Sequence, residues 1–229
     1  MKNIWKYLLI LTFLVILWDQ AVVSSFKDLS LTFHKLGHAL TSMIFGSGFS
    51  GFKTIFGTSG DVIFGADSWI GCFIIANSGY FASILFCLLI LCLKRTKLKN
   101  YLVGSTSIIY LGFTIAFASS IGAIVNALIF SLIIILVLLI QKDGLNNLMI
   151  NILSMSVAAY VVYDTFVGTI LFKLNEQLSL FKSWKSSPPA DIVKLTELTG
   201  FPTFVWGLIW LTIAVISINF VLIKAKSNK

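Results

Sequence analysis

Long apolar runs separated by short polar segments are the feature that most constrains this 229-residue chain. Several of these runs reach the roughly 20 residues that a helix needs to cross the hydrocarbon core of a bilayer. Charged residues make up only 11% of the sequence, whereas a soluble domain carries about 25%. Because backbone polar groups in a bilayer must be satisfied internally, helices are favoured. The sequence therefore predicts an all-α polytopic membrane protein, a bundle of about six to seven transmembrane segments.

We expect one transmembrane domain over residues 1–229, with two less regular parts. Residues 47–67 follow the histidine-bearing helix and are rich in glycine, which predicts a small hairpin or re-entrant strand pair. Residues 173–199 form a polar connection, and residues 191–198 within it have the spacing of a short amphipathic helix at the membrane surface. The first apolar run lacks a small-residue cleavage site followed by a soluble domain, so we expect it to be retained as a span.

The net charge of +8 is distributed in a way that argues for a bilayer partner and against nucleic acid. The lysines concentrate in short loops and at the C-terminus, as the positive-inside rule describes. The densest cluster, residues 94–99, is therefore predicted to be cytoplasmic. If the histidine segment crosses the membrane fully, the N-terminus lies outside. If that segment enters only part way, the N-terminus lies inside, which suits Lys2 and Lys6.

Both histidines of the chain lie in the short stretch His34-Lys35-Leu36-Gly37-His38. Two histidines four positions apart lie on one face of a helix and can bind a single metal ion. The alternative to metal binding is that the two histidines are simply polar residues packed inside a helical bundle. The usual zinc-peptidase motif is His-Glu-x-x-His, in which the glutamate takes a proton from the attacking water. Here Lys35 stands at the glutamate position, and a protonated lysine cannot accept that proton.

Several further motifs follow this one in a fixed order. The motifs are Phe33-His34-Lys35-Leu36-Gly37-His38-Ala39-Leu40, Ser59-Gly60, Ala76-Asn77-Ser78-Gly79-Tyr80, Asp191, Leu198-Thr199-Gly200-Phe201-Pro202 and Val205-Trp206. Taken together, they resemble the site-2 protease family of intramembrane zinc metallopeptidases, in its compact bacterial branch. The sequence departs from the first motif of that family at Lys35.

The resemblance implies a zinc ion held by His34, His38 and a later carboxylate, and a membrane-spanning peptide or protein as the substrate or client. It also implies a location in the bacterial plasma membrane. Asn77 and Tyr80 would pack between helices or line a substrate groove, and Gly79 would let two helices approach closely.

The third ligand in many members of the family is an aspartate in an Asn-Pro-Asp-Gly setting, and that setting is absent here. Asp164 is the first candidate, since an ionisable residue within a span is costly unless it is paired or ligating. It could instead reach interfacial water. Asp191 is the second candidate, although it could simply cap the helix that follows Pro189. Asp19 is the third.

Two functions remain open from the sequence. The first is an intramembrane zinc metallopeptidase-like protein that is catalytically impaired or inactive because Lys35 occupies the general-base position. The second is a non-catalytic membrane binding or regulatory protein that uses the same groove for a client transmembrane helix. Three other interpretations of Lys35 also stand. A desolvated, neutral lysine could itself act as the base, or another carboxylate could supply the base. Lys35 could also be an introduced replacement of glutamate, because glutamate and lysine codons differ by one base.

Overall fold

The computed structural model describes residues 2–46, 48–57, 68–118, 120–179 and 187–227. Within these ranges every regular element is helical, which confirms the all-α polytopic prediction. The helices are α1 (Lys2–Ile16), α2 (Ser24–Phe45), α3 (Gly48–Gly57), α4 (Trp69–Leu93), α5 (Lys99–Phe117), α6 (Ile121–Ile140), α7 (Asp143–Val162), α8 (Phe172–Leu178), α9 (Ala190–Thr199) and α10 (Thr203–Ser227). A 3-10 turn, Ala21–Val23, precedes α2, and a π-helical stretch, Tyr163–Leu171, joins α7 to α8.

Five helices of the described chain are long and apolar enough to cross a membrane. They are α4, α5, α6, the continuous helix Asp143–Leu178 and the α10 segment Thr203–Phe220, and the shorter apolar helix Ile4–Ile16 accompanies them. Two of the spans begin at a serine cap. Ser68 accepts a hydrogen bond from the Gly71 amide at 3.1 Å, and Ser120 accepts one from the Ala123 amide at 3.3 Å. These helices identify an integral membrane protein.

Helix α2 lies inside the bundle, where it packs against α3, α4, α6 and α7. Leu29 and Phe33, four positions apart, are buried on one face, and the Phe33 ring stacks on Phe86 of α4 with centroids 3.4 Å apart. A Cβ atom at Gly37 would lie 2.6 Å from the Cβ atom of Ala82, so only glycine allows α2 and α4 to approach this closely. The buried polar side chains of α2, His34 and His38 among them, are thereby shielded from lipid, as their desolvation requires.

The strand pair predicted within residues 47–67 is wrong in its first half. Residues 53–56, expected as a strand, lie within α3. Phe52 and Ile55, three positions apart on this helix, are buried against Ala39 of α2, and this packing outweighs the local glycine content. The expected second strand, residues 61–64, and the Ser59-Gly60 motif lie outside the described residues.

The short amphipathic helix expected within residues 191–198 is present as α9, and one of its faces packs against the protein. Its buried face contains Asp191, Ile192 and Leu195, and it contacts α4 and α10. The indole of Trp69, at the start of α4, donates a hydrogen bond to the Leu198 carbonyl at 2.9 Å. This docking brings a residue from the polar connection into the interior of the bundle.

The beginning of α1 lies at the same end of the bundle as the α4–α5 loop. The Lys94 ammonium donates a hydrogen bond to the Tyr7 hydroxyl at 3.2 Å and another to the Asn151 side chain. Of the two topologies left open by the sequence, this contact favours the one in which the N-terminus shares a side with the basic loop.

Candidate metal centre

Two imidazoles and one carboxylate converge between α2, α4 and α9. The Nε2 atoms of His34 and His38 are 3.0 Å apart. Oδ2 of Asp191 lies 2.6 Å from the first and 3.1 Å from the second. Helical periodicity places the two histidines one turn apart on the same face of α2, and α9 supplies the carboxylate from the opposite side.

The three side chains are almost fully removed from solvent: His34, His38 and Asp191 are 0%, 2% and 1% exposed. Burial alone would raise the pKa of Asp191, but the adjacent imidazoles, when protonated, hold that pKa well below its ordinary value. Asp191 also lies in the first turn of α9, where the helix dipole favours negative charge. A positive charge beside Asp191, on an imidazole or on a metal ion, therefore keeps this carboxylate ionised.

The tautomer of His38 is fixed by a backbone contact. Its Nδ1 atom lies 2.8 Å from the carbonyl oxygen of Ile75. A carbonyl oxygen can only accept, so Nδ1 carries a proton, and in the neutral imidazole Nε2 then directs a lone pair towards Asp191 and His34. The Ser78 hydroxyl lies 3.3 Å from the same Nδ1 and is itself held by the Ile75 carbonyl at 2.6 Å. This is the tautomer that a metal-binding histidine needs.

His34 is fixed mainly by its packing. Its ring lies between the rings of Tyr80 and Tyr160, with centroid distances of 5.0 and 4.8 Å. Its Nδ1 atom is 3.4 Å from the Ser83 hydroxyl, a long contact on the side away from the carboxylate. These neighbours orient Nε2 towards Asp191.

Gly79 of α4 forms the floor of the centre. A methyl group in place of its hydrogen would lie far inside van der Waals contact of Nε2 of both histidines. Only glycine therefore lets α4 pass behind the three converging atoms, which matches the close helix approach expected at this position.

The donor set suits a divalent cation of the zinc type. With both Nε2 atoms as acceptors, three electron-rich atoms face one point and need positive charge between them. The other carboxylate oxygen of Asp191, Oδ1, is buried without a hydrogen-bond partner among the described residues. A tetrahedral zinc ion with bonds of about 2.05 Å separates its ligands by roughly 3.3 Å. The three atoms, 2.6–3.1 Å apart, would need only a small outward shift.

The other two carboxylates considered from the sequence lie elsewhere. Asp164, the first candidate, is not part of this cluster, and its Oδ2 accepts a hydrogen bond from the Tyr80 hydroxyl at 3.5 Å. Asp19, the third, forms an ion pair with Lys27 at 2.8 Å and accepts a hydrogen bond from the Tyr163 hydroxyl. The structure thus places Asp191, and not Asp164, beside the two histidines, because the first turn of α9 lies beside α2.

The residues expected in a substrate groove contribute to the wall of the centre in this structure. Tyr80 is fully buried, and its ring packs on Trp210 with centroids 5.5 Å apart. The Asn77 side chain accepts a hydrogen bond from the Trp210 indole at 3.1 Å and donates one to the Phe73 carbonyl at 2.8 Å. No motif in the sequence indicated Trp210, Tyr160, Ser83 or the Ile75 carbonyl as parts of the centre. A three-to-four-residue spacing of small residues (Ala76, Gly79, Ser83) could have indicated this face of α4.

Lys35, at the position of the motif glutamate, is a buried residue of α2 and is 8% exposed. It directly follows His34 in the chain. The buried part of α2 thus contains a lysine next in sequence to one residue of the cluster.

Comparison with known proteins identifies one family. The chain matches the family model described as Peptidase M50B-like over residues 7–221. Comparisons with curated proteins and with solved structures found no match.

Proposed function

The chain belongs to the Peptidase M50B-like family, the site-2 protease-like membrane metallopeptidases, and from this premise we propose that it holds a zinc ion but hydrolyses peptides poorly or not at all. In this proposal His34, His38 and Asp191 bind the metal, and Lys35 prevents efficient catalysis. The client or substrate is a membrane-spanning peptide or protein segment, and we expect the protein in a bacterial plasma membrane.

The observation that carries the metal-binding part is the convergence of Nε2 of His34, Nε2 of His38 and Oδ2 of Asp191, all within 3.1 Å of one another. The lone-pair tautomer of His38 and the unpartnered Oδ1 of Asp191 support it independently. When bound, zinc would polarise a peptide carbonyl and increase the acidity of water. The residues of this chain would hold the ion and exclude bulk solvent.

The catalytic part rests on the chemistry of position 35. General-base catalysis at such a site contributes about 10²–10⁴-fold to the rate, and it requires a group that can accept a proton near neutral pH. An ammonium group cannot accept one, and its charge opposes a divalent cation nearby. We therefore propose that Lys35 lowers hydrolysis by about this factor relative to glutamate.

The test compares wild-type protein with Lys35→Glu and with the double variant Lys35→Glu, His38→Ala in liposomes. The probe is a set of labelled single-span peptides that carry helix-breaking residues at mid-span, and zinc content is measured on the same samples. We expect cleavage to rise by about 10²-fold or more in Lys35→Glu and to disappear in the double variant. Lys35→Glu protein that contains zinc and cleaves no faster than wild type would contradict the catalytic part.

A second candidate is a non-catalytic binding or regulatory protein that uses the same groove for a client transmembrane helix. The observation that favours it is the near-complete burial of all three clustered side chains, because catalytic metal sites keep an open position. This candidate predicts a client complex that survives chelation and the His38→Ala substitution. Loss of a cross-linked client on chelation would count against it.

A further inference from the structure

A strongly basic cavity opens beside the C-terminal end of α4, which is the end of this helix farther from the metal centre. Its volume is about 530 Å³. It is lined by the α4–α5 loop, the first turn of α5 and the start of α7. The lining residues are Lys94, Arg95, Thr96, Lys97, Lys99, Asn100 and Asp143. Four of these side chains are cationic and one is anionic, so the cavity carries an excess of positive charge.

The single carboxylate in the lining compensates this charge only weakly. Asp143 lies 3.4 Å from the Lys99 ammonium, but its side chain is 82% exposed, so solvent screens the pair. The half-buried Lys94 reaches two neutral oxygens, those of Tyr7 and Asn151. Burial lowers the pKa of Lys94, and repulsion from Arg95, Lys99 and Lys6 lowers it further. A bound anion would relieve this repulsion.

The position of the cavity indicates what kind of anion fits. Lys94 immediately follows the span α4, and Lys99 begins the span α5, so the cavity lies where the apolar spans end and lipid headgroups begin. Below it, α5 presents exposed apolar side chains at Tyr101 and Ile108, along which an acyl chain can lie. The N-terminal end of α5 adds partial positive charge to the wall.

From this arrangement we propose that the cavity formed by Lys94, Arg95, Lys97 and Lys99 binds the phosphate headgroup of an acidic phospholipid. Its phosphate would accept hydrogen bonds from the lysine ammonium groups, and its acyl chains would extend along α5. Basic pockets between spans recognise anionic headgroups in this way. Because Lys94 contacts α1 through Tyr7 and α7 through Asn151, the bound lipid would also support the packing of three helices.

The test uses the full-length protein in a neutral detergent and measures retained lipid by native mass spectrometry. Phosphatidylglycerol is compared with phosphatidylcholine of the same acyl chains and with inorganic phosphate. We expect wild-type protein to retain phosphatidylglycerol in preference to phosphatidylcholine by at least about tenfold. We expect Lys97→Gln to weaken that binding about fivefold, the effect of one surface lysine near an anionic headgroup. Asp143→Asn should strengthen it, because this change removes the only carboxylate in the lining.

Lys142→Gln is the matched control, because it removes the same charge near the start of α7 from a residue outside the lining. It should leave phosphatidylglycerol binding within twofold of wild type. Equal retention of the two lipids, or equal loss in Lys97→Gln and Lys142→Gln, would overturn the proposal. Binding of inorganic phosphate as tight as that of the lipid would overturn the assignment to a phospholipid.

Discussion

Nε2 of His34 lies 2.6 Å from Oδ2 of Asp191, although the two residues are 157 positions apart in the chain. The contact joins the central helix α2 to a short helix in the polar connection. His38 shares the same carboxylate oxygen at 3.1 Å, so one atom of Asp191 serves both imidazoles. This relationship distinguishes the proposed metal centre from two histidines that merely pack inside a bundle.

Replacing Asp191 should weaken zinc binding far more than replacing Asp164. Loss of a second-sphere partner already costs about 10–100-fold in metal affinity, so loss of a direct ligand should exceed about 100-fold. We expect Asp191→Asn to show this loss and Asp164→Asn to stay within about tenfold of wild type. The measurement is competitive zinc titration of the two purified variants against a fluorescent chelator. A larger loss of zinc affinity in Asp164→Asn than in Asp191→Asn would indicate that Asp164 is the third ligand.

Gly79→Ala should disrupt both the metal centre and the packing of α2 against α4. The added methyl group would collide with both Nε2 atoms, and overpacking of this kind typically costs about 1–3 kcal/mol. We expect a lower midpoint of thermal unfolding together with reduced zinc content. Gly112→Ala in α5 is the matched control, because its Cβ atom meets no atom within 4 Å. That variant should be neutral or slightly more stable, and similar destabilisation in both variants would contradict the role given to Gly79.

The ion pair at Asp19 should make stability depend on pH in the acidic range. Burial raises the pKa of Asp19, but hydrogen bonds from Lys27 and Tyr163 and the charge of Lys27 hold it below its ordinary value. A carboxyl group whose folded-state pKa is lowered contributes stability above its unfolded pKa of about 3.9. This contribution is lost as the pH falls through the lower folded-state value.

We therefore expect Asp19→Asn to flatten the decline of the unfolding midpoint below about pH 4, relative to wild type. The effect should be at most about 1 kcal/mol, because the Asp19 side chain is 61% exposed. Glu176→Gln removes a comparable exposed ion pair in α8 and serves as the control. A wild-type pH profile in Asp19→Asn would show that the pair contributes nothing measurable.

The histidine pair could be predicted from the sequence because it depends only on helical periodicity. The carboxylate that lies beside this pair could not be picked out in the same way, because the cost of burying a charge pointed to Asp164 within a span. The insertion of α9 beside α2 is a tertiary contact that local spacing does not encode. In the same way, glycine content suggested strands after α2, whereas the packing of Phe52 and Ile55 on Ala39 determines a helix.

The most direct measurement is the zinc content of wild-type protein purified without chelator, determined by elemental analysis beside Lys35→Glu and His38→Ala. The proposed centre predicts about one zinc ion per chain in wild type and in Lys35→Glu. It predicts less than about 0.1 per chain in His38→Ala, because one of three protein ligands is lost. Absence of zinc from both wild type and Lys35→Glu, or equal zinc in His38→Ala and wild type, would contradict the proposed centre.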